Sequence, residues 1–487
     1  MINASPRDGV RVAIIGAGIS GLSLAYFLQN KLKDSGLSAQ IVIYEGKSHA
    51  GGTIETHLQE GFVLESGPDA FITDKPWALE LSKKLGLGDE LISTENKNRR
   101  SFIASGKRLI PVPDGFYLIS PVNPAAFLVS PIVSWPAKMR MMSELFIPPK
   151  KGDEDETIGD FVRRRFGREA LDRVAQAMLG GIYTGDPDRL SLQATMPRFA
   201  ELEKKYGSVT RGLMASSHNK SSKLTQASGP RYSLFMSFRQ GMQTLPSALA
   251  AALPEEMIHY KKVVRELQYD TAQKQWQIRL EGQRFESADI VCITSSAKHA
   301  KAMLKHSQPE LAGDLARIPY ESVATINLVY NQKAFTHPLN GFGFVVPKIE
   351  NKVTIACSFS SQKFAHRAPE GKVLLRAFVG GAFGYHHLEK DNHDLQRVVH
   401  EELAAYLGIR EKPLFYRTQR YQESMVQYEL GHRGLVDTID KNTSLIPGLF
   451  LSGSSYKGVG IPDCIREAEV QADKIFTAIK KQVTVHA

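Results

Sequence analysis

The sequence predicts an α/β fold: a discontinuous nucleotide-binding unit with parallel strands, an α+β domain and a helical insertion. Three observations predict it. The chain opens with strand, glycine turn, helix, strand and acid, from Val12 to Glu45. It closes with another strand, glycine turn and helix, from Leu449 to Lys480. Between them lie a helical stretch at 157–205 and a mixed stretch at 300–445.

Val12-Ala13-Ile14-Ile15 is an apolar run of the kind buried in a parallel sheet. Gly16, Gly18 and Gly21 follow, then Leu24, Leu28 and Leu32 at helical spacing, with a stop at Asp34-Ser35-Gly36. A second strand, Gln40–Tyr44, ends in Glu45. This is the Rossmann-like GxGxxG pattern. Gly16 permits the tight turn, Gly18 lets a pyrophosphate approach the backbone, and Gly21 lets helix and strand pack closely. The helix N-terminus offers N–H groups and a positive dipole end to phosphates. Glu45 suits the ribose hydroxyls of an adenosine.

Composition sets outer bounds. The chain has 487 residues, enough for two or three domains, with 42% hydrophobic and 23% charged residues, so it is not a largely disordered chain. Its 61 basic and 51 acidic residues leave a net charge of +10. No zinc-finger, RNA-binding or long Lys/Arg signature accompanies that charge, so nucleic acid is not an expected partner. A solvated basic surface and a functional one both fit. Cys292, Cys357 and Cys464 are widely spaced, read as small buried residues, and offer no metal-ligand pattern. Met1–Arg11 is short and polar rather than charged-then-apolar, which predicts a cytoplasmic protein.

Further along, a glycine pair at Gly51-Gly52 stands ready to approach the same ligand. Phe62–Glu65 reads as a strand ending in the turn Ser66-Gly67-Pro68, Leu79–Leu87 as a short helix, and Ser101 onward as a hairpin around Gly106. Residues 115–137 carry no charge, but four prolines exclude a regular spanning helix. The stretch reads either as a surface-lying apolar patch with a basic rim or as a buried helical hairpin. Helices are expected at Ile158–Phe166 and Ala170–Leu179, interrupted by a loop over Gly180–Pro187, with a mobile loop at 215–230. Helix Ser247–Leu253 and strands Val263–Tyr269, Trp276–Leu280 and Asp289–Ile293 follow. A dinucleotide is too long for one βαβ unit, so the C-terminal strand and turn are expected to return to the first cleft. The expected division is 10–90, 231–299 and 446–487 for the nucleotide unit; 91–110, 206–230 and 300–445 for the substrate domain; and 111–205 for the insertion.

Several motifs together resemble one family. GAGISGL, EGKSHAGGTIET, ESGPDAF, RRFGREALDR with GGIYTGDPDRLS, GMQTLP, SSQKFAHRAPEGKVLLRAFVGG and LFLSGSSYKGVGIPDCIREAE run in order over nearly the whole chain. They resemble the oxygen-dependent porphyrinogen oxidases, which act on protoporphyrinogen or coproporphyrinogen and belong to the wider FAD-containing amine oxidase group. GAGISGL alone marks only that wider group; the IYTGDP, RAPEG…FVGG and GVGIPDCI stretches are more specific.

The resemblance implies noncovalent FAD. Gly16, Gly18, Ile19, Ser20 and Gly21 would bind its pyrophosphate and Glu45 its ribose. Gly51, Gly52 and Thr53 would line the phosphate and ribityl side, and Gly67 and Pro68 would lie near the isoalloxazine. Val263 would meet the adenine through its backbone, and Gly453, Val459, Gly460 and Ile461 would hold the flavin from the C-terminal side. His49 stands where the wider group usually has arginine, which removes one fixed positive charge. The implied reaction takes six electrons from a flexible tetrapyrrole in three flavin cycles, with oxygen as acceptor and hydrogen peroxide released, in haem synthesis.

Such a substrate calls for an apolar slot and cations for its propionates. By resemblance, Arg100 is the propionate partner, Val345 and Phe378 are slot walls, and Gly181 lies on a loop beside a pyrrole. Arg100 next to Arg99 is also readable as a solvated charge pair, and Phe378 as a strand-core ring. No side-chain base or metal is expected. The implied partners are a porphyrinogen and molecular oxygen, with a membrane face and the next haem-pathway enzyme as further candidates. The alternatives are a flavin amine oxidase or carotenoid-type desaturase, and a non-catalytic flavin-binding or membrane-docking protein.

Overall fold

The computed structural model describes residues 9–219, 235–282 and 284–486. Most of the loop expected at 215–230 therefore lies outside the described residues. Val10–Ile15 is the central strand of a five-stranded parallel sheet. Across the sheet the strands are Ile258–His259, Ala39–Tyr44, Val10–Ile15, Ile290–Ile293 and Leu449–Leu451. A parallel sheet needs both faces covered, which explains the unbroken apolar runs. Val12, Ile14, Ile41, Ile43 and Cys292 enter one core with helices Ile19–Ser35 and Ile461–His486. Ala13, Ile15, Val42, Val291, Ile293 and Leu451 enter the other with Trp276 and Leu267. Trp276 is fully buried because its indole N–H finds the Pro447 carbonyl at 2.9 Å.

The register aligns the carboxyl ends of the strands. Ile15 lies opposite Tyr44 and Ile293, and Ile293 lies opposite Leu451. The residues that follow, Gly16, Glu45, Thr294 and Ser452, therefore leave the sheet along one edge, where ligands of open α/β sheets bind. Both ends of the chain and two middle segments supply this edge.

A second sheet has seven strands, in the order Phe415–Val426, Tyr320–Asn331, Lys372–Gly380, Thr354–Ser358, Gly343–Val345, Ser101–Ser105 and Arg108–Pro111. All neighbours are antiparallel except Gly343–Val345 with Ser101–Ser105. Phe102, Phe344, Cys357, Ala377 and Ile326 share one face with Leu395, Val399 and Leu403 of helix Asn392–Leu407. The opposite face carries Val345, Ala356, Phe378 and Thr325, which are cross-strand partners in one row. A smaller sheet pairs Phe235–Phe238 with Phe71–Ile72 and Leu91–Ser93.

The 111–205 region has its own apolar core, including Phe116, Phe127, Phe161, Val174 and Leu179. The uncharged stretch forms a tiny hairpin and the short helices Pro124–Val129 and Trp135–Met142. Asn123 and Ser134 cap them with side-chain oxygens. The expected Ala170–Leu179 helix runs on to Tyr183 and contains a π-helical turn at Leu171–Ala175. Thr184, left-handed at φ 54°, ends it. Gly180 and Gly181 thus sit in the last helical turn, not in the expected loop. Apolar packing of Leu179 and Ala177 outweighs the poor helix propensity of two glycines.

Candidate cofactor and substrate site

The glycine turn behaves as its spacing requires. Gly16 adopts φ +108°, and a Cβ on Gly21 would overlap the Gly16 carbonyl. A Cβ on Gly18 would meet nothing nearer than Gly52 Cα at 3.9 Å, so Gly18 leaves open space above the backbone. Ile19, Ser20 and Gly21 form the first turn of the helix, which carries no acid and no side-chain cap. Its positive end is therefore free to meet an anion. Gly18 bridges to Gly51, and the Gly51 N–H donates to the Ala17 carbonyl at 2.9 Å, which brings the second glycine pair and Thr53 against the first turn.

Glu45 is buried at this edge. Its carboxylate accepts from the Ala17 and Lys47 N–H groups, both at 2.8 Å, which ties the turn to the second strand. Each oxygen keeps a lone pair for a hydroxyl donor. Val263 packs beside Gly46, and its carbonyl accepts from the Glu281 N–H at 2.8 Å, which leaves its N–H and a second carbonyl lone pair for an adenine. His49 places Nδ1 3.1 Å from the Ala50 carbonyl and Nε2 4.0 Å from Glu55. It lies beside the glycine pair, where the expected arginine would have stood.

The C-terminal turn arrives from the far end of the chain. Gly453, at φ +119°, lies near Ser20 Oγ and the Thr294 carbonyl. Val459 and Gly460 precede helix Ile461–His486, and the Cys464 N–H closes its first turn on the Gly460 carbonyl. Tyr428 clamps this turn: its hydroxyl donates to the Ser454 carbonyl at 2.7 Å and accepts from the Gly458 N–H at 2.8 Å. His432 stacks on the Tyr428 ring at 3.9 Å. Tyr456 and Tyr428 both belong to an apolar core, so the turn offers no aromatic cage for an amine.

The ESGPDAF stretch sits under a buried charge network. Glu65 accepts from the Met242 N–H at 2.8 Å and the Thr56 hydroxyl at 2.7 Å, with Arg367 at 3.8 Å. Burial pushes its carboxyl up, against the pull of Arg367. Burial acts upward on Asp69 too, but Lys363, at 2.8 Å, and then Arg376 hold it below the usual carboxylate range. Thr325 Oγ1 donates to the Ser66 carbonyl and Asn327 Nδ2 to the Glu65 carbonyl, both at 3.0 Å. Arg376 donates to the carbonyls of Ser66 and Gly67. A Cβ on Gly67 would overlap the Thr53 carbonyl, so Gly67 and Pro68 are pinned against the Gly51-Gly52-Thr53 loop.

The expected slot residues meet across long sequence distances. A Cβ on Gly181 would lie 3.3 Å from Val345 Cγ1. Val345 and Phe378 flank Ala356 in one cross-strand row, and the Arg376 guanidinium lies 4.8 Å from the Phe378 ring. Arg100 is exposed at the head of the Ser101–Ser105 strand, where its carbonyl accepts from the Phe342 N–H at 2.7 Å. It forms no ion pair among the described residues.

Thr325, Asn327, Arg376 and Tyr428 escaped sequence reasoning. A signal existed for Arg376: a lone charge inside the apolar run Val373–Gly380 must be buried and occupied. The three cysteines are buried and free, and burial pushes the Cys464 thiol up to about 12, so none is a nucleophile at neutral pH.

The family model of the flavin-containing amine oxidoreductases matches residues 19–476. The chain belongs to this family. Its cofactor is FAD. Coproporphyrinogen III oxidase of Bacillus subtilis (strain 168) is 30% identical, with 96% of this chain and 99% of that protein aligned. Protoporphyrinogen oxidase 2 of Arabidopsis thaliana is 28% identical over 97% and 95% of the two chains. A crystal structure from Exiguobacterium sp. 255-15, assigned to protoporphyrinogen oxidase, superposes with a TM-score of 0.84 at 25% identity, covering 97% and 100%.

The residues present fit an FAD. The space over Gly18, the uncapped helix and the spare lone pairs of Glu45 suit a pyrophosphate and ribose. The buried hydroxyls of Ser66, Ser295 and Ser452, within or beside the same turns, have no hydrogen-bond partner among the described residues. Such atoms call for a ligand or water.

Proposed function

We propose that this protein oxidises a porphyrinogen to the porphyrin in haem synthesis, with oxygen as acceptor and hydrogen peroxide as product. The observation that supports it is a juxtaposition: Gly181 lies against Val345, Val345 shares one cross-strand row with Phe378, and Arg376 links the Phe378 ring to the turn at Gly67-Pro68, although these residues lie in separate stretches of sequence. FAD held by the glycine turns would supply hydride acceptance and a route for the electrons to oxygen. The chain does the rest. The turns at 16–21, 51–53 and 453–461 bind the cofactor's phosphates and ring, Glu45 its ribose and Val263 its adenine edge. Gly181, Val345 and Phe378 exclude water and hold a flat tetrapyrrole. Arg100 holds a propionate. Aromatisation of the product drives the reaction, so positioning is the main demand on the protein. Among the described residues, Tyr428 and Tyr456 at the C-terminal turn are taken up in an apolar core and form no aromatic cage, which disfavours an amine substrate.

The test is oxidation of protoporphyrinogen IX, coproporphyrinogen III and a panel of amines by the purified yellow protein. Porphyrin fluorescence rising above the spontaneous rate is the expected result. Its absence with both porphyrinogens, or turnover of an amine, would overturn the reading.

Peripheral membrane contact belongs to the same proposal. Among the described residues, no helix is long and apolar enough to cross a membrane. The insertion does expose Val129 at 83%, Trp135 at 63%, Met139 at 56% and Phe146 at 81%. Lys138 lies 4.3 Å from the Trp135 ring. These side chains fit an apolar face dipping into lipid. Flotation with anionic liposomes should fall in a Val129→Ser, Trp135→Ser, Phe146→Ser triple variant; unchanged flotation would remove this face from the proposal. The domain division given above, oxygen as acceptor and contact with the next haem-pathway enzyme are further parts of this reading.

A further inference from the structure

Side chains from two neighbouring strands converge on one short turn. Thr325 and Asn327, on Tyr320–Asn331, hold the carbonyls of Ser66 and Glu65. Arg376, on Lys372–Gly380, is the cross-strand partner of Asn327 and holds the carbonyls of Ser66 and Gly67. The sheet itself therefore fixes where the guanidinium stands. Arg376 is 3% exposed, no carboxylate bonds to it directly, and its Nε has no partner among the described residues. The Asp69 and Glu65 carboxylates favour its charge without bonding to it; a buried cation so held is still costly, and a neutral donor would hold two carbonyls at less cost. What only the planar cation achieves is a double contact. The group lies over the Phe378 ring at 4.8 Å, while its N–H groups grip the turn that carries Gly67 and Pro68.

We propose that Arg376 is a positioning residue that sets the separation between the Gly67-Pro68 turn and the Phe378 wall, and keeps a positive charge beneath that turn. This rests on the reading that FAD and a porphyrinogen occupy the two sides. Transfer between them needs a close, fixed approach, so slack in the turn slows turnover without weakening substrate binding. A buried cation beside the ring also favours the extra negative charge that reduction brings.

The experiment compares Arg376→Met and Arg376→Lys holoenzymes with the parent. It measures FAD content, reduction potential by dye equilibration, and kcat per bound flavin against KM. Arg376→Met should lower kcat per flavin by about tenfold or more, move KM by less than about twofold, and lower the potential. Arg376→Lys should restore most of the potential but not kcat, because it returns the charge without the planar fork. Parent values of both kcat per flavin and potential in Arg376→Met would overturn the proposal.

If Arg376→Met cannot hold FAD, Thr325→Val reads the same turn by removing one hydroxyl bond to Ser66. It should lower kcat per flavin by about twofold to threefold, and no change would overturn the proposal. If the parent holds FAD but oxidises no porphyrinogen, the substrate reading fails, and the clamp stands or falls on the potential alone. If the parent holds no FAD, both fail.

Discussion

Arg165 and Arg376 are buried to nearly the same degree, and their surroundings differ in kind. Arg165, in the helical insertion, bonds to the Glu144 carboxylate and to the carbonyls of Glu144, Ile147, Pro148 and Gly207. Glu144 in turn accepts from the Ser208 hydroxyl and the Val209 N–H. The charge is paired and the donors are spent. Arg376 has two carbonyls, an aromatic ring and a donor left over. A completed network holds an element together; an incomplete one under a ligand turn marks where the ligand is managed.

The largest expected effect falls on the completed network. Glu144→Ala leaves the Arg165 charge only the more distant Glu203 carboxylate, at 3.4 Å, and should cost about 3 kcal/mol of stability. Urea unfolding should show it, with kcat per flavin of the surviving folded protein unchanged. A cost below about 1 kcal/mol would erase the contrast between the two arginines.

Gly21→Ala comes next. Its methyl group overlaps the Gly16 carbonyl, so the purified protein should lose most of its yellow absorbance. Arg100→Ala should raise KM for the porphyrinogen several-fold with kcat nearly intact, by loss of about 1–2 kcal/mol of charge-assisted bonding. An unchanged KM would leave Arg100 a solvated charge.

Acid separates the two regions by sign. Burial acts upward on Glu144, but bonds from Ser208 and Arg165 outweigh it and hold its carboxyl below the usual range. Its contribution is present above the unfolded carboxylate pKa and is lost as pH falls through the folded value. Glu65 is pushed up by burial, so protonation favours its folded form, and its contribution grows as pH falls through the raised value. Hydrogen exchange followed from pH 6 down to well below the ordinary glutamate value of 4.5 should therefore show amides at 144 and 209–210 losing protection at the acid end while those at 65–67 hold or gain it. Loss in both places together would contradict the assignment.

The legible and illegible parts of the site follow a physical line. Gly16, Gly18, Gly21, Gly51 and Gly453 act by lacking a side chain, and their turns are set by local backbone demands readable from neighbours. Strand edges such as Val10–Ile15 and Ala39–Tyr44 fell within a residue or two of their sequence expectation. Thr325, Asn327, Arg376 and Tyr428 act on backbone atoms far away in sequence, and nothing in their own windows says which carbonyl they will meet. Gly181 shows the converse error. Its glycine pair reads locally as a loop, and a distant apolar core keeps it helical.

The parallel sheet has a consequence for how the chain is made. Its strand Val10–Ile15 leaves the ribosome long before the segments it needs: Ile290–Ile293 must lie beside it and Leu449–Leu451 beside that, with Ile461–His486 covering the face. The nucleotide unit cannot close until residues 449–486 have been made. Until then apolar strands wait uncovered, in the interval when chaperones bind and aggregation competes. A stop codon before residue 449 would leave the first helix half bare, however well the middle of the protein had folded.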